Sequence, residues 1–321
     1  MAVIVLGSIN LDLVARVDQI PGPGDTRLAH ELSVSPGGKG ANQALAARRM
    51  GASTIFMGTV GNDAFARQAV TELRRDGVNL AYLQTERALP TGIAMIAVDP
   101  RGQNAITVAE GANRATGDSA LASLDHVVQR GDYVVLQNEI PLGTVERAIQ
   151  VAHRHQAKVI WDPAPALPRP VPGLLGADIV VPNQGEAESL LGVRIEDVRT
   201  AKAMARQLKA EGPEVAVIKL GGEGVVWATL HGVFYLPAIA VKAVDTVGAG
   251  DVFAGSLAAR LDAGDALAEA MGWANLAAGL STAGPGAQPS FPYWDAVRKY
   301  ASQQRPMQKD TDKAKEKERE R

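Results

Sequence analysis

The chain has 321 residues, of which 46% are hydrophobic and 21% charged, with a formal net charge of −2. This is the composition of an ordinary soluble globular chain, long enough for a sizeable core, and so small a net charge gives no field to recruit nucleic acid or an anionic membrane. With no cysteine, disulfide frameworks, thiolate metal sites and thiol nucleophiles are excluded together, and a cytoplasmic setting is expected.

The opening stretch "MAVIVLGSIN" lacks the basic and long apolar regions of a signal peptide and reads as a buried first strand, "VIVL" at 3–6. No run of 18 apolar residues follows, so a membrane-spanning helix is not expected. Residues 11–36 alternate, carry Pro-Gly turns and read as antiparallel strands outside the main pattern. A helix from about 40 to 50, a strand at 53–58 and a helix from about 62 to 76 come next. Residues 80–110, with the turn "DPRG", return to the more polar, alternating character. Beyond them lie "YVVLQ" (133–137), a helix near 143–155, "KVIWD" (158–162), "DIVVP" (178–182) and "EVAVIKL" (214–220). Continuous apolar strands separated by helices predict an α/β fold built on a parallel sheet covered on both faces. The expected organisation is one domain over residues 1–304, with a small β lid from about 11–36 and 80–110. The tail at 305–321 is nearly all charge of alternating sign, reads as solvated or disordered, and is given no role.

Several familiar motifs are absent. "SVSPGGKGAN" has Ser33 where a P-loop needs its first glycine and Gly40 where it needs Ser or Thr, and Phe253 replaces the third glycine of a dinucleotide fingerprint. The histidines are scattered, and His153 and His155 point in different directions on a predicted helix, so a zinc site is not expected.

What remains is a set of glycine-lined turns. In "DTVGAGDVF", after the strand-like "AIAVKAV", Gly248, Ala249 and Gly250 expose backbone N–H groups at a helix start, where an anion such as a phosphoryl group can be held. Asp251 beside them is either an ordinary helix-start acid or a group that accepts a proton from an incoming hydroxyl, and the motif alone fits both. "SPGGKGANQALAA" places a second glycine turn at a helix start, with Lys39 and Asn42, and reads equally as a tight strand-to-helix connection. Asn10 and Asp12 follow the first strand. All three stretches fall beyond strand ends, where open α/β sheets bind ligands.

At this point the chain resembles the ribokinase family of sugar kinases, from "VLGSINLD" to "GAQPS", through "GGKGANQA", "DPAPA", "PNQGEAE", "KLGGEGV" and "DTVGAGDVF" in order. The resemblance implies a ribokinase-like three-layer sandwich and ATP-dependent phosphorylation of the 5-hydroxyl of D-ribose, with Mg²⁺ and a monovalent cation, K⁺, as cofactors. It implies Asp251 as catalytic base and the amides of Gly248, Ala249 and Gly250 as the anion hole. By the same resemblance Asn10, Asp12, Gly38, Lys39, Asn42 and Glu139 hold the sugar, while Asn183 and Glu186 lie near the phosphates and Mg²⁺. Lys219, Gly221, Gly222 and Gly224 match the nucleotide loop, Asn275 the position beside adenine, and Asp245, Val247, Ser281, Gly284, Gly286 and Ser290 the K⁺ ligands. Asp162 and Asn138 depart from the family pattern near the cleft. Other acceptors stay open: a nucleoside would call for aromatic stacking, yet the lid segments hold only Tyr82, while Arg27, Lys39 and Arg101 leave room for a sugar acid or sugar phosphate. A non-catalytic sugar sensor on the same fold is the reading from another class. Uncovered lid edges lead to the expectation of a homodimer closed through the lids.

Overall fold

The structure, a computed structural model, describes residues 1–167 and 171–303; the tail expected at 305–321 lies outside the described residues. In chain order the strands are β1 (Val3–Leu6), β2 (Asn10–Val17), β3 (Ala29–Gly37), β4 (Thr54–Met57), β5 (Thr59–Gly61), β6 (Gln84–Glu86), β7 (Gly92–Val98), β8 (Asn104–Ala109), β9 (Tyr133–Leu136), β10 (Lys158–Trp161), β11 (Ile179–Val180), β12 (Val215–Lys219), β13 (Val225–Thr229) and β14 (Gly232–Leu236). The helices include α1 (Lys39–Arg49), α2 (Ala64–Ala69), α3 (Thr71–Arg75), α4 (Asp118–Val127), α5 (Leu142–Arg154), α6 (Gln184–Leu191), α7 (Val198–Ala210), α8 (Ala249–Asp262) and α9 (Leu267–Ser281).

The large sheet runs β14-β13-β12-β11-β10-β9-β1-β4, parallel from β4 to β12 and antiparallel for β13 and β14. Its central strands are apolar without interruption because both faces are covered. Val3 and Val5 of β1 pack toward α1, α8 and α9, whereas Ile4 and Leu6 pack toward α4 and α5. Alternating side chains of one strand thus feed two separate cores, which makes the three-layer sandwich. β1 lies between β4 and β9, so the chain reverses its direction of travel across the sheet there, and a crevice opens beyond the carboxyl ends of the strands.

A second sheet runs β3-β2-β7-β8. β2 with β3 and β7 with β8 are antiparallel, as expected from their turns, but β2 and β7 pair in parallel, Asn10 opposite Gly92. Only part of the 80–110 stretch joins this sheet, since β6 pairs with β5 instead. The helix expected over 62–76 is broken at Val70, whose ψ of 0° ends α2 and begins α3. "AIAVKAV" is not a strand: β14 ends at Leu236, and residues 238–241 and 243 run as irregular backbone along the wall of a cleft.

Register divides the small sheet into two unlike faces. Leu13 sits opposite both Val34 and Met95, and Ala15 opposite Leu32, so these side chains share one apolar face. Asp12 lies opposite Ser35 and Ala94 on the other face. Leu32, Val34 and Met95 are 66%, 47% and 48% exposed, so nothing in the described chain covers the apolar face.

Candidate active site

α8 begins beneath the glycine turn. Gly248, its N-cap, has φ of 79°, and a Cβ there would lie 2.9 Å from the Phe291 ring, so both backbone and packing demand glycine. Gly250 is different: a Cβ there would meet only the end of the Lys219 side chain, with Nζ at 3.3 Å. Its bare backbone therefore faces the end of the Lys219 side chain across the cleft. Residues 248–251 line a cleft of about 650 Å³, toward which the start of α8 presents the N–H groups of Gly248 and Gly250 and the positive end of its dipole, while the Ala249 N–H donates to Thr246 O at 3.2 Å.

Asp251 is buried in the first turn of α8. Asn42 Nδ2 donates to its Oδ2 at 2.9 Å and Gln43 Nε2 to its Oδ1 at 3.2 Å. Each of these amides is fixed from behind. Gln288 Nε2 donates to Asn42 Oδ1 at 3.0 Å, and Gln137 Nε2 to Gln43 Oε1 at 2.7 Å. With their oxygens occupied, Asn42 and Gln43 turn their nitrogens to the carboxylate. Burial, joined by the charges of Asp162 and Glu139, holds the Asp251 carboxyl above the usual carboxylate range, against the pull of Lys39 and the Asn42 hydrogen bond. The result is a stronger base than an exposed carboxylate, aimed by two donors.

On the lid side of Asp251 lie Asn10 and Asp12 of β2, Gly38, and Glu139 just beyond β9. Asn113 Nδ2 donates to Asn10 Oδ1 at 2.7 Å, while Ser8 Oγ and the Lys39 N–H donate to Glu139 Oε2 at 2.5 and 3.1 Å. Burial, then the neighbouring charges of Glu139 and Asp251, pushes the Asp12 carboxyl up to about 7. For Lys39, burial works against the ammonium, but Asp251, Glu139, Asp162 and Glu186 more than offset it and its pKa is raised. Of the predicted sugar residues only Lys39 also lines the cleft.

The cleft itself takes in the predicted nucleotide residues Asn183, Glu186, Lys219, Gly221, Gly222, Gly224 and Asn275. Asn183 and Glu186 form a complete capping box on α6: Asn183 Oδ1 accepts from Glu186 N at 2.9 Å, and Glu186 Oε2 from Asn183 N at 2.7 Å. Burial and the charge of Asp162 raise the Glu186 pKa, with Lys219 opposing. Asn275 donates to Pro237 O at 2.9 Å at the apolar end of the cleft, near Ile239 and Ala278.

Of the predicted cation ligands, Asp245 is the knot. Its Oδ1 accepts from Val247 N at 3.0 Å and its Oδ2 from Gly286 N at 2.9 Å, tying the loop before α8 to the loop after α9. Gly284 packs against Ser290, and Ser281 ends α9 beside Thr282, whose carbonyl accepts from Asp245 N.

A sheet crevice that gathers an aimed acid, bare amides and a second acid-rich pocket is the geometry of phosphoryl transfer to an alcohol, and residues 2–294 match the family described as pfkB family carbohydrate kinase. The chain belongs to the pfkB carbohydrate kinase family. It is 36% identical, over 98% of its length, to a bifunctional ribokinase/ribose-5-phosphate isomerase A from Fructilactobacillus sanfranciscensis, of which it spans 58%. It is 34% identical to a deoxyribokinase from Salmonella typhi, over 94% of this chain and 99% of that one. Among solved structures, an Arabidopsis thaliana ribokinase complexed with ribose and ATP superposes with a TM-score of 0.85 at 29% identity, covering 93% of this chain and 97% of that one.

In this pfkB kinase the residues that sequence reasoning missed are the ones behind the contacts: Gln43, Gln137 and Gln288 around Asp251, and Ser8 and Asn113 around Glu139 and Asn10. Gln43 adjoins a predicted residue and sits fully buried on α1, so its position in "GKGANQA" was the available signal. Gln137, Asn113 and Gln288 carry none, because an amide in a loop or strand end reads as solvated until its partner is known.

Proposed function

We propose that the chain transfers the γ-phosphoryl group of ATP to the 5-hydroxyl of D-ribose, giving ribose 5-phosphate and ADP. The observation that carries this reading is Asp251, buried, aimed by Asn42 and Gln43, and adjoining the glycine turn of 248–250 at the start of α8. The sugar sits on the lid side, with Asp12 accepting from vicinal hydroxyls and Asn10 and Glu139 completing the ring of partners. Asp251 orients the attacking hydroxyl and takes its proton late, as charge leaves toward ADP in a loose transition state. The fixed amides of 248–250 stabilise the migrating group without reorganising.

Neutral sugars suit the pocket better than the other acceptors. Arg27 and Arg101 are each taken by a carboxylate, Asp25 and Asp99, and Tyr82 packs against a core cluster rather than on the small sheet. The discriminating experiment is coupled ADP release with ribose, 2-deoxyribose, fructose, adenosine and a ketodeoxy sugar acid. Ribose gives the highest kcat/KM; preference for 2-deoxyribose moves the assignment to the deoxyribokinase side, and no stimulation by any acceptor favours a sensor.

Both Glu186 oxygens are engaged by Asn183, and among the described residues no group of three or more His, Cys, Asp or Glu is placed to hold a metal. Mg²⁺ arriving with ATP therefore fits beside Asn183 and Glu186 through water, where it would neutralise phosphate charge. The Asp245 loops offer carboxylate, hydroxyl and carbonyl oxygens alone, a donor set that fits K⁺. Turnover is expected to rise in K⁺ relative to Na⁺; identical rates in matched salts would remove the cation site.

The small sheet acts as lid, and the uncovered face of Leu13, Leu32, Val34 and Met95 joins two copies into a homodimer. No helix among the described residues is long and apolar enough to cross a membrane, and cytoplasmic residence accords with a nucleotide-dependent kinase. Light scattering should give a dimer for the native chain and a monomer for Val34→Glu/Met95→Glu. A native monomer at working concentration would contradict this arrangement.

A further inference from the structure

Lys219 ends β12 with its backbone N–H bonded to Pro182 O at 2.9 Å and its residue bridged to Asn183, beside the start of α6. Its side chain crosses the cleft wall toward the other phosphate-facing element, so that Nζ lies 3.3 Å from the Cβ position of Gly250. Among the described residues its hydrogen-bond acceptor is Asp162 Oδ1, at 2.9 Å, and the pair is nearly dry, with side chains 12% and 2% exposed. An ammonium carries three donors, so two remain for the cleft.

Two considerations argue that this pair is more than packing. A buried ion pair contributes little net stability, because desolvation offsets most of the attraction, and apolar residues of equal size hold a fold as well. Asp162 is also bound at its second oxygen by Gln43 Nε2, at 2.9 Å, the same amide that holds Asp251. The carboxylate that holds the ammonium and the aimed acid thus share one donor, Gln43 Nε2.

We propose, building on the kinase reading above, that Lys219 is a catalytic residue: its ammonium donates to the oxygens of the transferring phosphoryl group, and Asp162 holds it at that place. In the transfer, the bond from the γ-phosphorus to the β,γ-bridging oxygen breaks and its electron pair leaves on ADP. A bond from phosphorus to the sugar oxygen forms, and the hydroxyl proton passes to Asp251. Lys219 stays protonated throughout and answers the charge that gathers on the phosphoryl oxygens, while a Cβ at Gly250 would crowd it.

The test uses Lys219→Met, which keeps length and removes charge, and the double variant Asp162→Asn/Lys219→Met, which leaves no lone buried charge. For each, kcat at saturation, sugar affinity, and affinity for ADP with aluminium fluoride, a mimic of the transferring group, are measured in the presence of sugar. Both variants should lose about 10²-fold in kcat and a similar factor in affinity for the mimic, with sugar affinity within about threefold. Recovery of kcat and mimic affinity in the double variant to within about threefold of native would mean a merely structural pair and overturn the proposal, as would unchanged values in the single variant. Failure of the kinase reading shows separately, as a native chain that releases no ADP with any sugar, while the mimic still reads Lys219.

Discussion

Asp251→Asn lowers kcat by about 10²–10⁴-fold and leaves sugar affinity within about threefold of native. The amide keeps the volume of the carboxylate and fits the same buried space, so α8 retains its start and the 248–250 amides their aim. Lost are the proton acceptor and the charge that Asn42 and Gln43 are turned toward. The variant's nitrogen would face their donors, and its rotation to avoid them cannot restore a base. Single-turnover phosphoryl transfer with calorimetric sugar binding separates the two quantities. Turnover near native would remove Asp251 from the chemistry.

Asp12→Asn weakens sugar binding by about 10²-fold, the scale of two hydrogen bonds to a charged acceptor, and at the same time raises the melting temperature of the sugar-free protein at alkaline pH by a few degrees. The sign follows from the carboxyl's rise from 3.8 to about 7, caused by burial and then by Glu139 and Asp251. The folded state binds the proton more tightly than the unfolded state. Its stabilising contribution is complete below about pH 4, fades between there and 7, and is gone above. Asn stays neutral throughout, so the variant's advantage over native is largest at pH 8 and vanishes near pH 4. Sugar reverses the preference because its hydroxyls need the ionised acceptor, and KM for the sugar rises up to about tenfold per pH unit below about 7. Melting curves and KM at pH 5 and 8 check both halves; a pH-independent difference in melting temperature would sink the argument.

The α/β sandwich was legible because strands buried on both faces must be apolar without interruption, as "VIVL" and "YVVLQ" are. Strand pairing was less so. The turns announced the antiparallel pairs β2 with β3 and β7 with β8, but nothing in residues 11–17 and 92–98 tells that the two hairpins join through a parallel β2–β7 pair. "AIAVKAV" misled because an apolar wall for a ligand cleft has the composition of a strand. At the site, Lys39, residues 248–251 and the residues matched to the nucleotide line one cleft, whereas Asn10, Asp12, Glu139 and Asp245 lie outside its lining. The structural reading left open for the glycine turn before α1 is also satisfied there, since Gly40 is bare because a Cβ would lie 2.7 Å from Gly7, which is packing, and Glu186 for its part caps α6. The amide relay behind Asp251 was illegible, since its members are 43, 137 and 288 and only their spatial meeting gives them meaning.

That meeting has a bearing on how the polypeptide is made. Asn42 reaches Asp251 across 209 positions and Gln288 across 246, so the apolar side of α1 emerges from the ribosome long before α8 arrives to cover it. At about 5–20 residues per second the delay is on the order of 10–40 seconds. During that interval a nascent chain has an assembled first half, an open hydrophobic flank and no acid in place, which makes it both inert and a natural client for a chaperone.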